Sequence, residues 1–184
     1  RIDDLDALIG GPLRFSIDYA TLTDQGVFPE VEDRVLSVPL HDSFAACWDG
    51  DYSRQMLSTL NPNKLSAVLQ IVRDLGQKTI VFCDWVRALD PIVSFLRKAL
   101  HHVRVLDSLS GVTSAQERRS ILLAFKSLHT GVLVISRVGE MALDVPDAQV
   151  CIQMSHTKSM EAAVQRLGRI TRRSDGKHPK SYIL

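Results

Sequence analysis

The sequence predicts an α/β protein in which a parallel sheet carries helices on both of its faces. Two observations lead there. The runs Thr79–Cys83, Gly131–Ile135 and Val150–Ile152 are almost wholly apolar, as strands covered on both sides must be. Between them lie longer stretches whose apolar residues recur at intervals of three and four. Strand and helix patterns alternate along the chain, which is the order that helical crossovers impose on a parallel sheet.

The elements follow in order. Arg1–Ile9 is acidic and helical in pattern, and Gly10-Gly11-Pro12 ends it. Phe15–Leu22 reads as a short helix and Val35-Leu36-Ser37-Val38-Pro39-Leu40 as an alternating strand. From Asn61 the pattern becomes regular. Asn61 is an N-cap, Pro62 takes the first helical position, Leu65, Val68, Leu69, Val72 and Leu75 form one face, and Gly76 stops the helix. After the strand at Thr79–Cys83, Asp90-Pro91 begins a helix running to about Leu100. Val103-Arg104-Val105-Leu106 reads as a strand, and Ser114 caps a helix carrying Ile121, Leu122 and Phe125. The strands Gly131–Ile135 and Val150–Ile152 come next, and Ser181–Leu184 is a last, short one. Residues 1–60 are therefore expected to be a joining segment with edge elements, and residues 61–184 the folded domain.

Composition narrows the function classes. The 184 residues are 45% hydrophobic and 23% charged, with a net charge of +1, ordinary values for a soluble domain. No apolar run reaches the roughly 18 residues of a membrane span. Cys47, Cys83 and Cys151 lie far apart, which fits neither a zinc site nor a disulfide framework, and His101-His102 has no third ligand at metal spacing. Charge is unevenly spread: residues 158–180 hold seven cations, Lys158, Arg166, Arg169, Arg172, Arg173, Lys177 and Lys180, against Glu161 and Asp175.

Within that basic stretch, Met160, Ala163, Val164, Leu167 and Ile170 form an apolar helical stripe, while Gln165, Arg169 and Arg172 share another face. Gly168 inside the pattern costs about 1 kcal/mol relative to alanine, which points to close approach of a backbone or a ligand. Guanidinium groups held on a helix suit a transferring phosphoryl group, whose charge spreads over several oxygens. In parallel sheets ligands gather beyond the carboxyl ends of the strands. Asp84, Gly111 and the stretch Ser136–Asp144 all follow strand-like runs and so converge on that edge.

The order of these segments resembles the second RecA-like lobe of a superfamily 2 helicase. Thr79–Asp84, then Gly111-Val112-Thr113-Ser114 with Glu117-Arg118, then Ser136–Asp144, then Gln165–Arg172 look like motifs IV, IVa, V and VI. The closer resemblance is to the XPB family of DNA repair and transcription helicases. It rests on Asn61-Pro62-Asn63-Lys64, Ser136-Arg137-Val138-Gly139-Glu140, Asp144-Val145-Pro146 and Gln165-Arg166-Leu167-Gly168-Arg169, with Ile9–Pro12 and Leu22–Phe28 similar to the segment joining the two lobes. Ser155–Met160 departs from the glycine- and arginine-rich composition of that family.

The resemblance implies a P-loop NTPase-type three-layer sandwich serving as the second lobe of an ATP-driven motor. It implies Arg169 and Arg172 as arginine fingers on the γ-phosphate, Arg166 against the other lobe and Gln165 as a link to it. Gly139 would shape the loop after its strand, and Asp144 would organise the nucleotide sugar or pair with a motif VI arginine. Ser136, Gly111 and Thr113 would meet DNA phosphates, with Arg137 and Arg118 as further phosphate contacts. ATP with Mg2+ is the implied cofactor. Neither GxxxxGK[ST] nor a DExH or DEAD box occurs, so the phosphate cradle and magnesium ligands are expected on a first lobe, and this chain alone is expected to be inactive. Implied partners are DNA, that lobe and TFIIH-type subunits, with a nuclear setting in a eukaryote and a cytoplasmic one otherwise. An XPB-like helicase outside TFIIH and a non-hydrolysing RecA-like scaffold are the alternatives.

Overall fold

The computed structural model describes residues 21, 24–25, 30–48, 54–136, 148–155 and 178–184. The helices expected at Arg1–Ile9 and Phe15–Leu22 and the arginine-bearing helix lie outside the described residues, Thr21 excepted. Five strands form one sheet in the order β1-β5-β4-β2-β3. They are β1 (Glu32–Val35), β2 (Thr79–Phe82), β3 (Val132–Ile135), β4 (Val150–Gln153) and β5 (Lys180–Ile183), and every pairing is parallel. The helices are α1 (Asp42–Ala45), α2 (Arg54–Thr59), α3 (Pro62–Leu75), α4 (Val86–Ala99) and α5 (Ala115–Ser127).

All residues of β2, β3 and β4 are buried, as their apolar runs predict. Side chains alternate between two cores. Val81, Val132, Val134, Val150 and Ile152 pack with α3 and α4, whereas Ile80, Phe82, Leu133, Ile135 and Cys151 pack with Phe125 of α5. Helices therefore cover both faces, as expected.

The expected ends of α3 are present. Asn61 accepts from the Asn63 amide at 3.2 Å, Pro62 opens the helix, and Gly76 closes it at φ 56°, a left-handed conformation that costs glycine nothing. Asn61 also accepts from the His41 amide and donates to the Pro39 carbonyl, both near 3 Å, so it stitches the incoming chain to the helix.

Three elements differ from expectation. The first strand is Glu32–Val35, not Val35–Leu40. It is an exposed edge strand on β5, where charged residues are tolerated, and pairing continues past Val35 only through the Leu36 amide to the Ile183 carbonyl. The helix expected to begin at Asp90-Pro91 starts at Val86 and contains Pro91. Pro91 gives up one backbone hydrogen bond, but the longer helix buries Ala88 and Leu89 together with Ile92, Val93 and Leu96. Val103–Leu106 is not a full strand: two isolated parallel bridges, Val105 to Val132 and Leu109 to Ile135, run beside β3. Arg104 and Val105 carry the carbonyls that receive the Val132 amide and the Arg97 side chain, so the segment is held by scattered bonds rather than a ladder.

Candidate functional site

The chain runs from β2 outward to β3 and then returns to β4 on the other side of β2. The strand order thus reverses between β2 and β4, the kind of position beyond whose carboxyl ends open α/β sheets bind ligands. The two strand ends are tied together there. The Asp84 amide donates to the Ser155 hydroxyl at 2.8 Å, joining the residues that follow β2 and β4. Ser155 is 5% exposed, and the register continues through the Met154 amide to the Phe82 carbonyl.

The turn expected to contact phosphates sits on the same edge. Leu109 bridges Ile135, and the Ser136 amide donates to the Leu109 carbonyl at 2.8 Å, so the end of β3 and the start of the turn are neighbours. Within the turn the Ser110 amide donates to Thr113 Oγ1 at 3.0 Å, and the Thr113 amide donates to the Ser110 carbonyl. These bonds leave Gly111 and Val112 exposed at the tip. Arg118 Nη2 donates to the Ser110 carbonyl at 3.1 Å, bracing the turn from α5. Its Nε is buried without a partner among the described residues.

Ser114 begins α5 in a reciprocal cap: its hydroxyl accepts from the Glu117 amide while the Glu117 carboxylate accepts from the Ser114 amide and hydroxyl. Those hydrogen bonds hold the Glu117 carboxyl below its ordinary pKa. A polar groove of about 890 Å³ lies beside this turn, between α4 and α5, lined by Asp90, Arg97, Asp107, Thr113 and Glu117.

Gly111, Thr113, Arg118 and Ser136 are therefore brought together at the end of β3. Ser136 is only 1% exposed, and its hydroxyl has no partner among the described residues. Arg137, Gly139, Asp144, Gln165, Arg166, Arg169 and Arg172 lie outside the described residues. Phe82 is fully buried core, and Trp85, partly buried, packs against the core at the N-cap of α4.

Two contributors were not legible from sequence patterns. Ser155 gave no signal, since one serine after a strand is commonplace. Lys64 stood within a quoted motif, yet nothing local shows its destination: Nζ donates to the Met154 carbonyl at 3.0 Å and the Leu184 carbonyl at 2.9 Å. Burial lowers its pKa from the ordinary lysine value.

Comparison with known proteins agrees with this architecture. Domain 2 of the DEAD-box helicase Mss116p, solved bound to an RNA duplex, superposes with a TM-score of 0.60 at 21% identity, over 83% of this chain and 53% of that one. The Escherichia coli DEAD-box protein SrmB gives 0.59 at 19% identity, over 66% and 69%. At such identities the likeness shows the fold, a RecA-like helicase domain.

Sequence relatives are nearer. The XPB1 helicase/translocase subunit of general transcription and DNA repair factor IIH from Arabidopsis thaliana is 35% identical over 181 residues, 94% of this chain. The XPB subunit from Danio rerio is 32% identical over 189 residues, 99% of this chain. The chain spans 22% and 23% of those two proteins. A family model for the ERCC3/RAD25/XPB C-terminal helicase matches residues 31–182. With its parallel sheet, its motif order and this match together, the chain belongs to the XPB family and is its C-terminal helicase domain.

Proposed function

We propose that this chain is the second lobe of an ATP-dependent DNA helicase or translocase and acts together with a first lobe of the same protein. The carrying observation is the convergence of the Ser110–Ser114 turn, Ser136 and the Asp84–Ser155 junction on the carboxyl edge of one parallel sheet. Residues 61–184 are the working domain and residues 1–60 the joining segment with edge elements, a division that the edge position of β1 supports.

Nucleotide binds between the lobes. Arg169 and Arg172 reach its γ-phosphate, Gln165 and Arg166 engage the first lobe, Gly139 allows a tight turn, and Asp144 organises the nucleotide sugar or pairs with one of these arginines. The donor set fits half of a nucleotide site. Its arginines supply charge for a phosphoryl transition state, whereas the P-loop and acidic box that would hold Mg2+ belong to the first lobe. ATP with Mg2+, when bound, supplies the phosphoryl group and its counter-charge.

DNA lies across the turn at the end of β3. Gly111 lets a phosphate approach the backbone closely, the Thr113 hydroxyl is free to donate while its oxygen accepts from Ser110, and Arg137 adds charge. Arg118 supports this surface from behind through its bond to Ser110, and the buried Ser136 shapes the floor. Such backbone contacts carry little sequence information, which suits a motor that moves along a strand. Closing of the lobes on ATP and reopening after hydrolysis would step the DNA.

The relatives named as subunits of factor IIH support assignment to TFIIH, to DNA repair and transcription, and to the nucleus of a eukaryote. No helix among the described residues is long and apolar enough to cross a membrane.

The test uses the full-length protein. Arg169→Ala should lower DNA-stimulated ATP hydrolysis by about 10³-fold or more, the range for arginine fingers. Hydrolysis at the wild-type rate would overturn the finger assignment. The 184-residue chain by itself should hydrolyse no ATP, and turnover from it would refute the two-lobe site.

A further inference from the structure

Val112 is the most exposed large hydrophobic side chain among the described residues, at 89%. It stands at the tip of the turn that precedes α5, where glycine, asparagine, aspartate and serine are the usual residues. The tip is held firmly. Ser110, 4% exposed, commits all its polar groups to it. The Ser110 hydroxyl accepts from the Val112 amide at 3.4 Å, and the Ser110 amide donates to Thr113 Oγ1. The Ser110 carbonyl accepts from the Thr113 amide and from Arg118 Nη2. Valine is also stiff about χ1. Its methyl groups are therefore presented in a fixed pose, with little freedom to lose on contact.

Val112 is flanked by Gly111 and Thr113, the two residues read as phosphate contacts. Consecutive Cα atoms lie about 3.8 Å apart, so a strand whose phosphate rests on that pair brings the adjoining sugar to Val112. The phosphate itself is excluded from the methyl groups, because charged oxygens are costly to desolvate. Deoxyribose offers a CH2 group at its 2′ carbon. Ribose offers a hydroxyl there, which would lose water against a side chain that can neither donate nor accept. The fold does not make this choice, since domain 2 of Mss116p shares it and was solved bound to an RNA duplex. Nor do charged contacts, because DNA and RNA present the same phosphates.

Resting on the reading of this turn as a nucleic-acid contact, we propose that Val112 is a specificity-determining residue: its methyl groups pack on the sugar beside the bound phosphate and favour deoxyribose over ribose.

The experiment measures binding of full-length wild type, Val112→Thr and Val112→Ala to labelled single strands of one sequence, made as DNA and as RNA, across a series of salt concentrations. Val112→Thr keeps the shape but exchanges a methyl group for a hydroxyl that can bond a 2′-hydroxyl. At 89% exposure both substitutions leave the core untouched. Wild type should bind DNA about tenfold more tightly than RNA, and Val112→Thr should remove most of that ratio. Val112→Ala should weaken DNA binding about threefold. The salt dependence should keep one slope in all three proteins, because no charge is changed. The proposal is overturned by a wild type without preference, by an unaltered ratio in Val112→Thr, or by unaltered DNA affinity in Val112→Ala. Equal weakening on both strands overturns it too, since that marks a contact with phosphate or with the other lobe. If wild type binds neither strand, the nucleic-acid reading of the turn itself fails. Binding with an unaltered ratio leaves that reading standing and sinks the sugar contact alone.

Discussion

The backbone amide of Asp84 donates to the hydroxyl of Ser155 at 2.8 Å across 71 residues of sequence. It ties together the ends of β2 and β4, the two neighbouring strands at which the sheet reverses its order. Replacing Ser155 by alanine removes this part-buried hydrogen bond, at a cost of about 1 kcal/mol. Urea denaturation of the chain should record that loss in the midpoint with an unchanged slope, and Ser155→Thr should retain most of the stability. An alanine variant as stable as wild type would show the bond to be dispensable.

Lys64 makes stability depend on alkaline pH in a direction that can be stated. Burial lowers its pKa in the folded chain below the ordinary value of 10.5. Between the lowered value and 10.5 the unfolded chain binds more protons than the folded one, so stability rises with pH through that window. Below it both states are protonated and the folded chain bears the full desolvation cost. Wild type should therefore gain stability relative to Lys64→Met as pH is raised through the window, measured by thermal melts at matched ionic strength. A constant difference would show that Lys64 is not depressed.

The cap on α5 behaves oppositely. Hydrogen bonds from Ser114 lower the Glu117 pKa below 4.5, so the stabilisation is fully present above that value and is lost as pH falls through the folded value. Ser114→Ala should cost about 1 kcal/mol at neutral pH. Glu117→Gln should remove the acid dependence while keeping part of the cap, since an amide oxygen still accepts. Helix content and melting temperature between pH 3 and pH 7 provide the measurement; equal acid sensitivity in wild type and Glu117→Gln would exclude the carboxylate as its source.

Much of this domain follows from local chemistry. Asn61, Pro62 and Gly76 bound α3 because each satisfies a backbone requirement within a few residues of itself. Ser114 and Glu117 announce α5 for the same reason, and the apolar runs of β2, β3 and β4 announce strands that must be covered on both faces. The order of motifs along the chain also identified the family, because that order is itself a property of sequence. Tertiary structure decided the rest. Pro91 reads as a helix start, yet Ala88 and Leu89 find a core, and their burial outweighs one lost hydrogen bond. Val103–Leu106 has strand composition but meets β3 through bridges alone, and β1 forms where β5 offers an edge rather than where alternation is clearest. Asp84 with Ser155, and Lys64 with Met154 and Leu184, are joined by nothing but the fold: a hydrogen bond over such separations exists only after the sheet has aligned its strand ends, and no local pattern encodes it.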